Sequence, residues 1–547
     1  MATDHERSLD ASGVRKGLGA YYTPADVVEG LLDLALDPVL RALEVGGPDA
    51  VATLRLIDPA CGTGNFLVAA ARRIVAVLEE LGVDEHRAAV DAVRCVRGIE
   101  IDAATARLCR AHLREIDPSC SGRQVKRGDA LLDPSLAREG TFDVVVGNPP
   151  FLSQLDASTA RGVQGGAALR TRYGDAVASY TDPAALFLVL GHRLARRDGG
   201  VLAMIEPMSV LTARDASGAR AAVLEGSALT DLWVLGEGVF DASVEVCAPV
   251  IVRSSVATRT LLHTGRERVP GVLVAPPKGA DRSWSALLAD HGGLPRRTLE
   301  TSGTLGGLAS ATADFRDQYY GLAPHVVDQQ VADDAVRPRL VTSGLIDPAD
   351  LAWGRRSTRF NKATYQHPRV DLAALDPKLR HWARTRLVPK VLLATQTRVL
   401  EAVVDDHGLL VPSVPVISVV ASPGDLWRVA AVLTCPAVAL EAARRHLGSG
   451  RNSRSMRLRA QEVLDLPIPA DLDRWDGAAT LLRTAAVLRA SGHPFDLAGH
   501  RAHLQTVGRL MDEAYGLVDD EELLGWWLEQ LPTMAEPVAQ APGSDGP

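Results

Sequence analysis

Cysteine is scarce in this 547-residue sequence and is never paired. The six cysteines stand at positions 61, 95, 109, 120, 247 and 435, and none forms a Cys-x-x-Cys pair. This spacing argues against a zinc ribbon and against a disulfide framework, and no metal site is predicted. We therefore expect the protein to work in a reducing cytoplasm.

Membrane and export signals are missing as well. No apolar run approaches the roughly 20 residues needed to span a bilayer. The first seven residues, Met1–Arg7, are polar and carry charges of both signs, unlike a secretory signal. We expect no membrane association.

Two widespread nucleotide-binding patterns and one nuclease pattern are also absent. A glycine-rich segment occurs at Asp58–Phe66, but no Gly-Lys-Ser/Thr follows it, so it is not a P-loop. The three-glycine dinucleotide pattern is missing there too. We find no convincing Asp…Glu-x-Lys cluster in a separate domain, and the chain starts almost at once with its cofactor-type motifs. Any nuclease is therefore expected on another chain.

Alternating segments predict the fold of the first half. Strand-like and helix-like stretches follow one another, which favours a mostly parallel sheet with helices on both faces and ligands at the carboxyl ends of the strands. Segments 232–235 and 249–252 have no long helix between them and are expected to form an antiparallel pair that closes the sheet. The predicted strands are 54–58, a segment within 93–101, 124–129, 142–147 and 201–205, and the predicted helices are 64–81, 103–116 and 182–197.

Composition shifts predict the domain organisation. We expect an N-terminal domain over residues 1–270, a second domain over 280–475 and a helical segment over 476–531. The tail, 532–547, is rich in Pro, Gly, Ala and acids and is predicted to be disordered. Residues 153–179 are polar and glycine-containing, which predicts a long loop over the site.

Basic residues are concentrated in the second half, although the formal net charge is −8. Between Arg337 and Arg398 there are thirteen basic and four acidic residues, a local excess of nine positive charges. A second basic stretch spans Arg444–Arg459. Single charge runs are common on solvated surfaces, but two in an acidic protein favour a face that binds a polyanion.

The tetrapeptide Asn148-Pro149-Pro150-Phe151 follows the apolar run 142–147, which predicts a buried strand. Asn148 offers a side-chain carbonyl oxygen, and Pro149 offers a backbone carbonyl with a fixed φ. The ring of Phe151 can stack on a flat base. This set suits methylation of an amino nitrogen conjugated to a ring or a carbonyl, although a plain strand followed by a Pro-Pro turn has the same sequence.

Three further positions suit a nucleoside-like ligand. The glycines of 58–66 allow a tight strand-to-helix turn close to a ligand. Glu100, after the second strand, can accept hydrogen bonds from ribose hydroxyls, and Ile101 can pack on adenine. Asp129 can accept from an adenine amino group. Asp102 is expected to be a helix N-cap instead.

With these motifs in this order, the chain resembles the gamma-class adenine-N(6) DNA methyltransferases, which use S-adenosylmethionine. The resemblance covers roughly residues 15–255. It implies a Rossmann-like S-adenosylmethionine-dependent methyltransferase sheet, mostly parallel with one antiparallel strand, plus a C-terminal α+β target-recognition domain. Phe151 departs from the commoner Tyr but keeps the stacking surface. The motifs are Tyr21–Pro24, Asp58–Phe66, Gly98–Asp102, Gly128–Asp129 and Asn148–Phe151.

The resemblance also implies roles for individual residues. The catalytic set is Asn148, Pro149, Pro150 and Phe151. The residues implied to bind the cofactor are Tyr22, Thr23, Asp58, Pro59, Ala60, Cys61, Gly62, Gly64, Asn65, Glu100, Ile101 and Asp129. Phe240 is either a second stacking wall or a core aromatic. Candidates for DNA contact are Arg355, Arg356, Arg359, Lys362, Arg384, Arg386, Lys390, Arg451 and Arg454.

The resemblance implies methyl transfer to a flipped adenine in double-stranded DNA, in restriction–modification or phage defence. Three alternatives stay open. An RNA base or a protein glutamine amide could be the substrate, because both carry a conjugated amino group. A non-enzymatic DNA-specificity subunit is the third, although the intact Asn148 and glycine turn argue against it.

Overall fold

The computed structural model describes residues 23–151, 162–178, 181–236, 239, 245–254, 258–275, 277, 283–314, 316–450, 454–491 and 496–534. The chain divides into two compact units, residues 1–291 and 292–547. Tyr22, Phe240, Arg451 and the tail from 535 lie outside the described residues.

The first unit is built on one large sheet. Its strands lie in the order β10-β9-β7-β8-β5-β4-β1-β2-β3, and β6 pairs with β8. The strands are β1 (Leu56–Asp58), β2 (Val96–Glu100), β3 (Val125–Arg127), β4 (Val144–Gly147), β5 (Val201–Met204), β6 (Glu206–Pro207), β7 (Ser227–Gly236), β8 (Val246–Arg253), β9 (Thr260–Thr264) and β10 (Val269–Val274).

The mostly parallel α/β sheet is confirmed, but the expectation of one antiparallel strand is wrong. β8 runs against β5, β6 and β7, and β10 runs against β9, so two strands are reversed. The β7–β8 pair also does not close the sheet, because β9 pairs with β7 in parallel and β10 follows beyond it. A short turn between β9 and β10 allows only a hairpin, which fixes the second reversal.

Helices cover the sheet on both sides. Those of the first unit are α1 (Ala25–Ala35), α2 (Asp37–Glu44), α3 (Pro48–Val51), α4 (Asn65–Glu80), α5 (Glu85–Cys95), α6 (Ala103–Ile116), α7 (Gly162–Tyr173), α8 (Pro183–Leu194), α9 (Ser209–Thr212), α10 (Ser217–Leu224) and α11 (Ser285–His291).

Side-chain alternation along β4 assigns these helices to the two faces. Val144 and Val146 share a core with residues of α1, α4 and α6. Val145 points the other way, because a Cβ on Gly191 of α8 would lie 3.3 Å from its Cγ1. Asn148 continues the alternation and therefore belongs to the α1 face.

The loop predicted over 153–179 is wrong for the part that the structure describes. Residues 162–173 form α7, and a 3-10 turn follows at Gly174–Ala176. Leu169 and Tyr173 are buried, and the Tyr173 hydroxyl donates to the carbonyl of Leu131 at 3.1 Å. Tertiary contacts thus stabilise a helix in a segment whose glycine content disfavours one.

The second unit contains several small sheets. The larger two have the strand orders β12-β23-β20-β21 and β13-β19-β14-β22. The strands are β11 (Thr301–Thr304), β12 (Ala309–Ala313), β13 (Val326–Asp328), β14 (Arg339–Val341), β15 (Ile346–Asp347), β16 (Asp350–Leu351), β17 (Thr358–Phe360), β18 (Ala363–Tyr365), β19 (Pro368–Val370), β20 (Lys390–Leu393), β21 (Ala402–Asp405), β22 (Leu410–Pro412), β23 (Ile417–Ala421) and β24 (Pro467–Pro469).

Helices pack on these sheets and complete an α+β unit. Trp475 and Val507 of the C-terminal helices, together with Tyr515 directly after one of them, share one core with Val391 and Val419 of the sheet. The helices are α12 (Arg316–Leu322), α13 (Pro377–Arg386), α14 (Leu426–Val432), α15 (Pro436–His446), α16 (Ala460–Leu464), α17 (Leu472–Ala490), α18 (Leu497–Ala514) and α19 (Glu521–Gln530).

Among the described residues, no single helix is long and apolar enough to cross a membrane. The bent pair α14 and α15 has the required length and composition only when the two are taken together. Most of their apolar side chains lie in the core of the second unit.

A buried ion pair lies between β20 and β21. Lys390 is 0% exposed, and its ammonium donates to Asp405 and, at 2.9 Å, to the carbonyl of Leu410. Asp405 also accepts from the backbone N–H groups of Leu409 at 2.9 Å and Leu410 at 3.0 Å. Burial lowers the pKa of Lys390. Removing one partner of such a pair leaves an uncompensated buried charge.

We expect Lys390→Ala to destabilise the second unit by about 3–5 kcal/mol, because Asp405 loses its buried cation. Urea unfolding followed by tryptophan fluorescence measures this. Lys378→Ala, at an exposed position of α13, is the matched control and should change stability little. Equal stabilities of the two variants would contradict a structural role for the pair.

Candidate active site

The carboxyl ends of four neighbouring strands lie at one edge of the large sheet. β1 pairs in parallel with β4 on one side and with β2 on the other, and β2 pairs in parallel with β3. The residues at or just beyond these ends are Asp58, Glu100, Asp129 and Asn148. Parallel pairing therefore brings together side chains from four separate sequence motifs.

The glycine turn after β1 connects to the next strand. Gly62 and Gly64 have φ values of 54° and 95°, which favour glycine. The Gly62 N–H donates to Glu100 Oε2 at 3.0 Å, and the Cys61 N–H donates to the carbonyl of Ile99 at 3.0 Å. The turn leads directly into α4, whose first N–H groups lie at this edge.

Two buried carboxyl groups lie beside the turn. Asp58 is 1% exposed and accepts from the Ala60 N–H at 2.9 Å. Burial, and then the nearby Glu100, raise the pKa of Asp58 to about 7, against the Ala60 hydrogen bond. Burial also raises the pKa of Glu100, whose Oε1 accepts from the Asp102 N–H at 2.8 Å. A ligand that carries positive charge would favour the ionised form of both groups and lower both pKa values.

The remaining adenosine-binding candidates occupy the expected edge. Ile101 is 56% exposed, so an apolar surface is open beside Glu100. Asp129 Oδ1 accepts from the Leu131 N–H at 2.9 Å, which shapes the turn after β3. Asp102 caps α6 by accepting from the Thr105 N–H at 2.8 Å, and its predicted N-cap role is confirmed.

Asn148 is held by a residue far away in the sequence. Its Nδ2 donates to Thr23 Oγ1 at 3.0 Å, across 125 positions of the chain. Thr23 is 5% exposed, and its carbonyl accepts from Asn65 Nδ2 at 3.5 Å. Among the described residues, the buried Oδ1 of Asn148 has no hydrogen-bond partner. The site therefore presents an oriented amide oxygen that lacks a donor.

Phe151 is 6% exposed and packs in the core shared by α1, α4 and α6. Pro149 is buried and Pro150 is half-buried. A base can stack on Phe151 only after the ring has been uncovered.

Glu206 is a buried residue of this region that the sequence analysis missed. It lies on β6 opposite Cys247, 0% exposed, and neither carboxylate oxygen has a hydrogen-bond partner among the described residues. Burial, with a smaller effect of Asp182, raises its pKa well above the usual range. The available signal was a carboxylate directly after the apolar run 201–205.

The DNA-contact candidates fall into two groups. Four of them pair with acids: Arg355 with Asp350, Arg356 with Asp347, Arg386 with Asp314, and the buried Lys390 with Asp405. Lys390 has no exposed ammonium to offer a phosphate. The exposed candidates are Arg359, Lys362, Arg384 and Arg454.

Comparison with known proteins gives a family match over most of the first unit. Residues 9–262 match the family model described as N-6 DNA Methylase. These residues are similar to that family and are called the methylase segment below. This segment contains all five sequence motifs and the whole of the edge formed by β4, β1, β2 and β3.

Two relatives match parts of the methylase segment. The adenine-specific methyltransferase PglX of Streptomyces coelicolor is 27% identical over 27% of this chain and 16% of its own length. The type II methyltransferase M.MamI of Microbacterium ammoniaphilum is 31% identical over 25% of this chain and 35% of its own. The matches therefore span far less than two thirds of either relative.

Solved structures extend the likeness beyond the methylase segment. The type IIL restriction-modification enzyme MmeI, in complex with DNA, covers 94% of this chain and 78% of its own with a TM-score of 0.62 and 13% identity. The DrdV–DNA complex covers 88% of this chain and 60% of its own, with a TM-score of 0.52 and 15% identity. At these identities the likeness shows the fold.

The raised pKa of Asp58 gives a prediction for stability. The unfolded carboxyl ionises near pH 4 but the folded one only near pH 7, so its ionisation destabilises the fold as pH rises through that window. Asp58→Asn should therefore gain stability over wild type between pH 4 and pH 8, by at most about 4 kcal/mol. Urea unfolding at several pH values measures it.

Asp198→Asn, at an exposed position, controls for the loss of one formal charge. A difference between Asp58→Asn and wild type that stays constant from pH 4 to pH 8 would show that Asp58 is not the titrating group.

Proposed function

We propose that this protein is a site-specific DNA adenine methyltransferase, which transfers a methyl group from S-adenosylmethionine to the exocyclic amino group of adenine. The observation that carries the proposal is the buried Oδ1 of Asn148, which is oriented through Thr23 and has no donor among the described residues. An unsatisfied buried acceptor costs about 1–3 kcal/mol, and an amino group of the substrate would satisfy it.

The residues at the strand edge fit a cationic nucleoside cofactor. Asp58 and Glu100 supply carboxyl groups, and Ile101 supplies an exposed apolar surface. A Cβ on Gly62 would meet no atom of the described residues within 4 Å, so the turn leaves room for a ligand. Thr23, the 59–65 turn and Asp129 would complete the binding residues. S-adenosylmethionine supplies an activated methyl group when it is bound.

Asn148 and Pro149 would activate the amino nitrogen. Its lone pair is delocalised into the ring, so it is a poor nucleophile. Two acceptors, Asn148 Oδ1 and the Pro149 carbonyl, would each take one N–H hydrogen bond and favour a tetrahedral nitrogen with greater lone-pair density. Thr23 fixes the Asn148 amide beforehand, so positioning and electrostatics supply the acceleration without a covalent enzyme intermediate.

The target base must leave the duplex to reach this edge, at a cost of a few kcal/mol. Stacking on Phe151 would return roughly 1–3 kcal/mol, by analogy with aromatic stacking in single-strand binders. Because Phe151 is 6% exposed and Asn148 Oδ1 is buried, entry of the base requires local opening of the site.

Double-stranded DNA is the proposed substrate, and restriction–modification or another phage defence the proposed setting. The family description, the names of the relatives and the DNA complexes of MmeI and DrdV support this choice. Arg359, Lys362, Arg384 and Arg454 are the exposed cations proposed to contact the backbone. We also propose a cytoplasmic location, with any nuclease subunit as a separate partner.

Asn148→Ala should lower the methyl-transfer rate by roughly 10²–10³-fold or more, the usual effect of removing one preorganised polar group at a reacting centre. Its affinity for S-adenosylmethionine, measured by calorimetry, should stay within about threefold of wild type, because Asn148 is proposed to contact the base. Thr23→Val should lower the rate less, since it removes only the hydrogen bond that orients the Asn148 amide. Full activity of Asn148→Ala would refute the mechanism.

A filter assay with tritiated S-adenosylmethionine tests the substrate. Label should enter duplex DNA, as N6-methyladenine, and should not enter RNA or protein. Arg359→Ala and Lys362→Ala should each weaken DNA binding. Each should also make the slope of log K against log[salt] shallower by about one. If the label entered only RNA or only protein, that molecule and not DNA would be the substrate. The proposed role of Asn148 would then be unaffected.

A further inference from the structure

We propose that the second unit contains its own binding site for a nucleotide, defined here as a planar base joined to a phosphate. The site is a cavity of about 450 Å³ lined by residues of β14, β16, β21, α14 and α17 and by adjoining turns. This volume lies in the range of small-molecule sites, about 300–1,000 Å³. The inference does not depend on the methyl-transfer reaction, because every lining residue belongs to the second unit.

Three guanidinium groups line the cavity, from Arg339, Arg355 and Arg489, against one carboxylate, Asp350. Arg355 is bonded to Asp350, and Arg489 Nη1 lies 3.7 Å from the same carboxylate. Two arginines therefore share one acid, and the lining keeps a formal excess of two positive charges. Such an excess beside a cavity favours an anionic ligand.

Arg339 is the arginine best placed to bind a phosphate. Its buried Nε has no hydrogen-bond partner among the described residues. The acid paired with it, Asp334, lies 3.6 Å from Nη2. The Arg339 side chain is 39% exposed, more than those of Arg355 and Arg489, so a phosphate could make a charge-assisted contact with the exposed part of its guanidinium fork.

Aromatic side chains hold Arg339 and supply a surface for the base. The Arg339 Cζ lies 5.1 Å from the ring centroid of Trp353, whose Nε1 donates to the carbonyl of Pro368 at 3.0 Å. The guanidinium is thereby fixed at the cavity wall. Trp427 also lines the cavity and is half-buried among apolar neighbours that include Leu482. A flat ring can pack on that indole while its phosphate meets the arginines.

Two kinds of ligand have this chemistry: a free mononucleotide and a nucleotide within a DNA strand. Calorimetric titration of the full-length protein separates them. The probes are the four deoxynucleoside monophosphates, the matching nucleosides, and single-stranded and duplex oligonucleotides. Excess S-adenosylhomocysteine is present throughout, so that the proposed cofactor site of the first unit does not contribute.

We expect at least one nucleotide or oligonucleotide probe to bind. Loss of its phosphate, or Arg339→Gln, should weaken binding by roughly tenfold or more, because a charge-assisted contact disappears. Ala486→Phe, which fills the cavity without removing a charge, should also abolish binding. Arg501→Gln, at an exposed position of α18 outside the cavity, is the matched control for charge and should leave binding unchanged.

Binding of mononucleotides would identify a small-molecule site, and binding of oligonucleotides alone would identify a contact with a DNA strand. Either result supports the proposal when Ala486→Phe abolishes it in a variant that keeps the wild-type melting temperature. Binding that survives both Arg339→Gln and Ala486→Phe, or no binding of any probe, would overturn it. Asn148→Ala should bind as wild type, which separates this test from that of the methyl-transfer site.

Discussion

The parallel pairing of β1 with both β4 and β2 is the constraint on which the candidate active site depends. It aligns the ends of strands whose following residues are the glycine turn, Glu100 and Asn148. A slip of one residue in β4 would carry Asn148 from the α1 face to the α8 face, away from Thr23. Gly147 opposes such a slip, because a Cβ at this position would lie 2.6 Å from Asp58 Oδ1, so a larger residue does not fit there.

The buried polar groups at this edge of the sheet differ in how many hydrogen bonds they receive. Glu100 receives backbone N–H groups from the glycine turn and from Asp102, and Asp58 receives one from Ala60. Asn148 Oδ1 and Glu206 have no such partner among the described residues. Proteins often retain unsatisfied buried groups where function uses them, and these two residues follow the neighbouring parallel strands β4 and β5.

In the second unit, buried acidic residues account for many of the basic residues between Arg337 and Arg398. Asp347, Asp350 and Asp405 are almost fully buried, and a buried carboxylate needs a nearby cation. Arg356, Arg355 and Lys390 fill that need, so the excess of charge between Arg337 and Arg398 is not all presented to solvent. The cations that remain exposed are fewer, and the cavity beside Trp353 keeps a second, partly enclosed group of them.

The sequence by itself determined strands β1 to β5, β7 and β8, helices α4, α6 and α8, and the order of the motifs. These features depend on local periodicity, on turn-forming glycines and on strand ends, all of which a short segment encodes. Only the tertiary structure decided which side chains meet. The contact between Thr23 and Asn148 spans 125 positions, and the acids that neutralise Arg386 and Lys390 come from outside the basic run or from a neighbouring strand. The burial of Phe151, the helix at 162–173 and the reversed strand β10 were decided in the same way, because packing between distant segments outweighs local preference there.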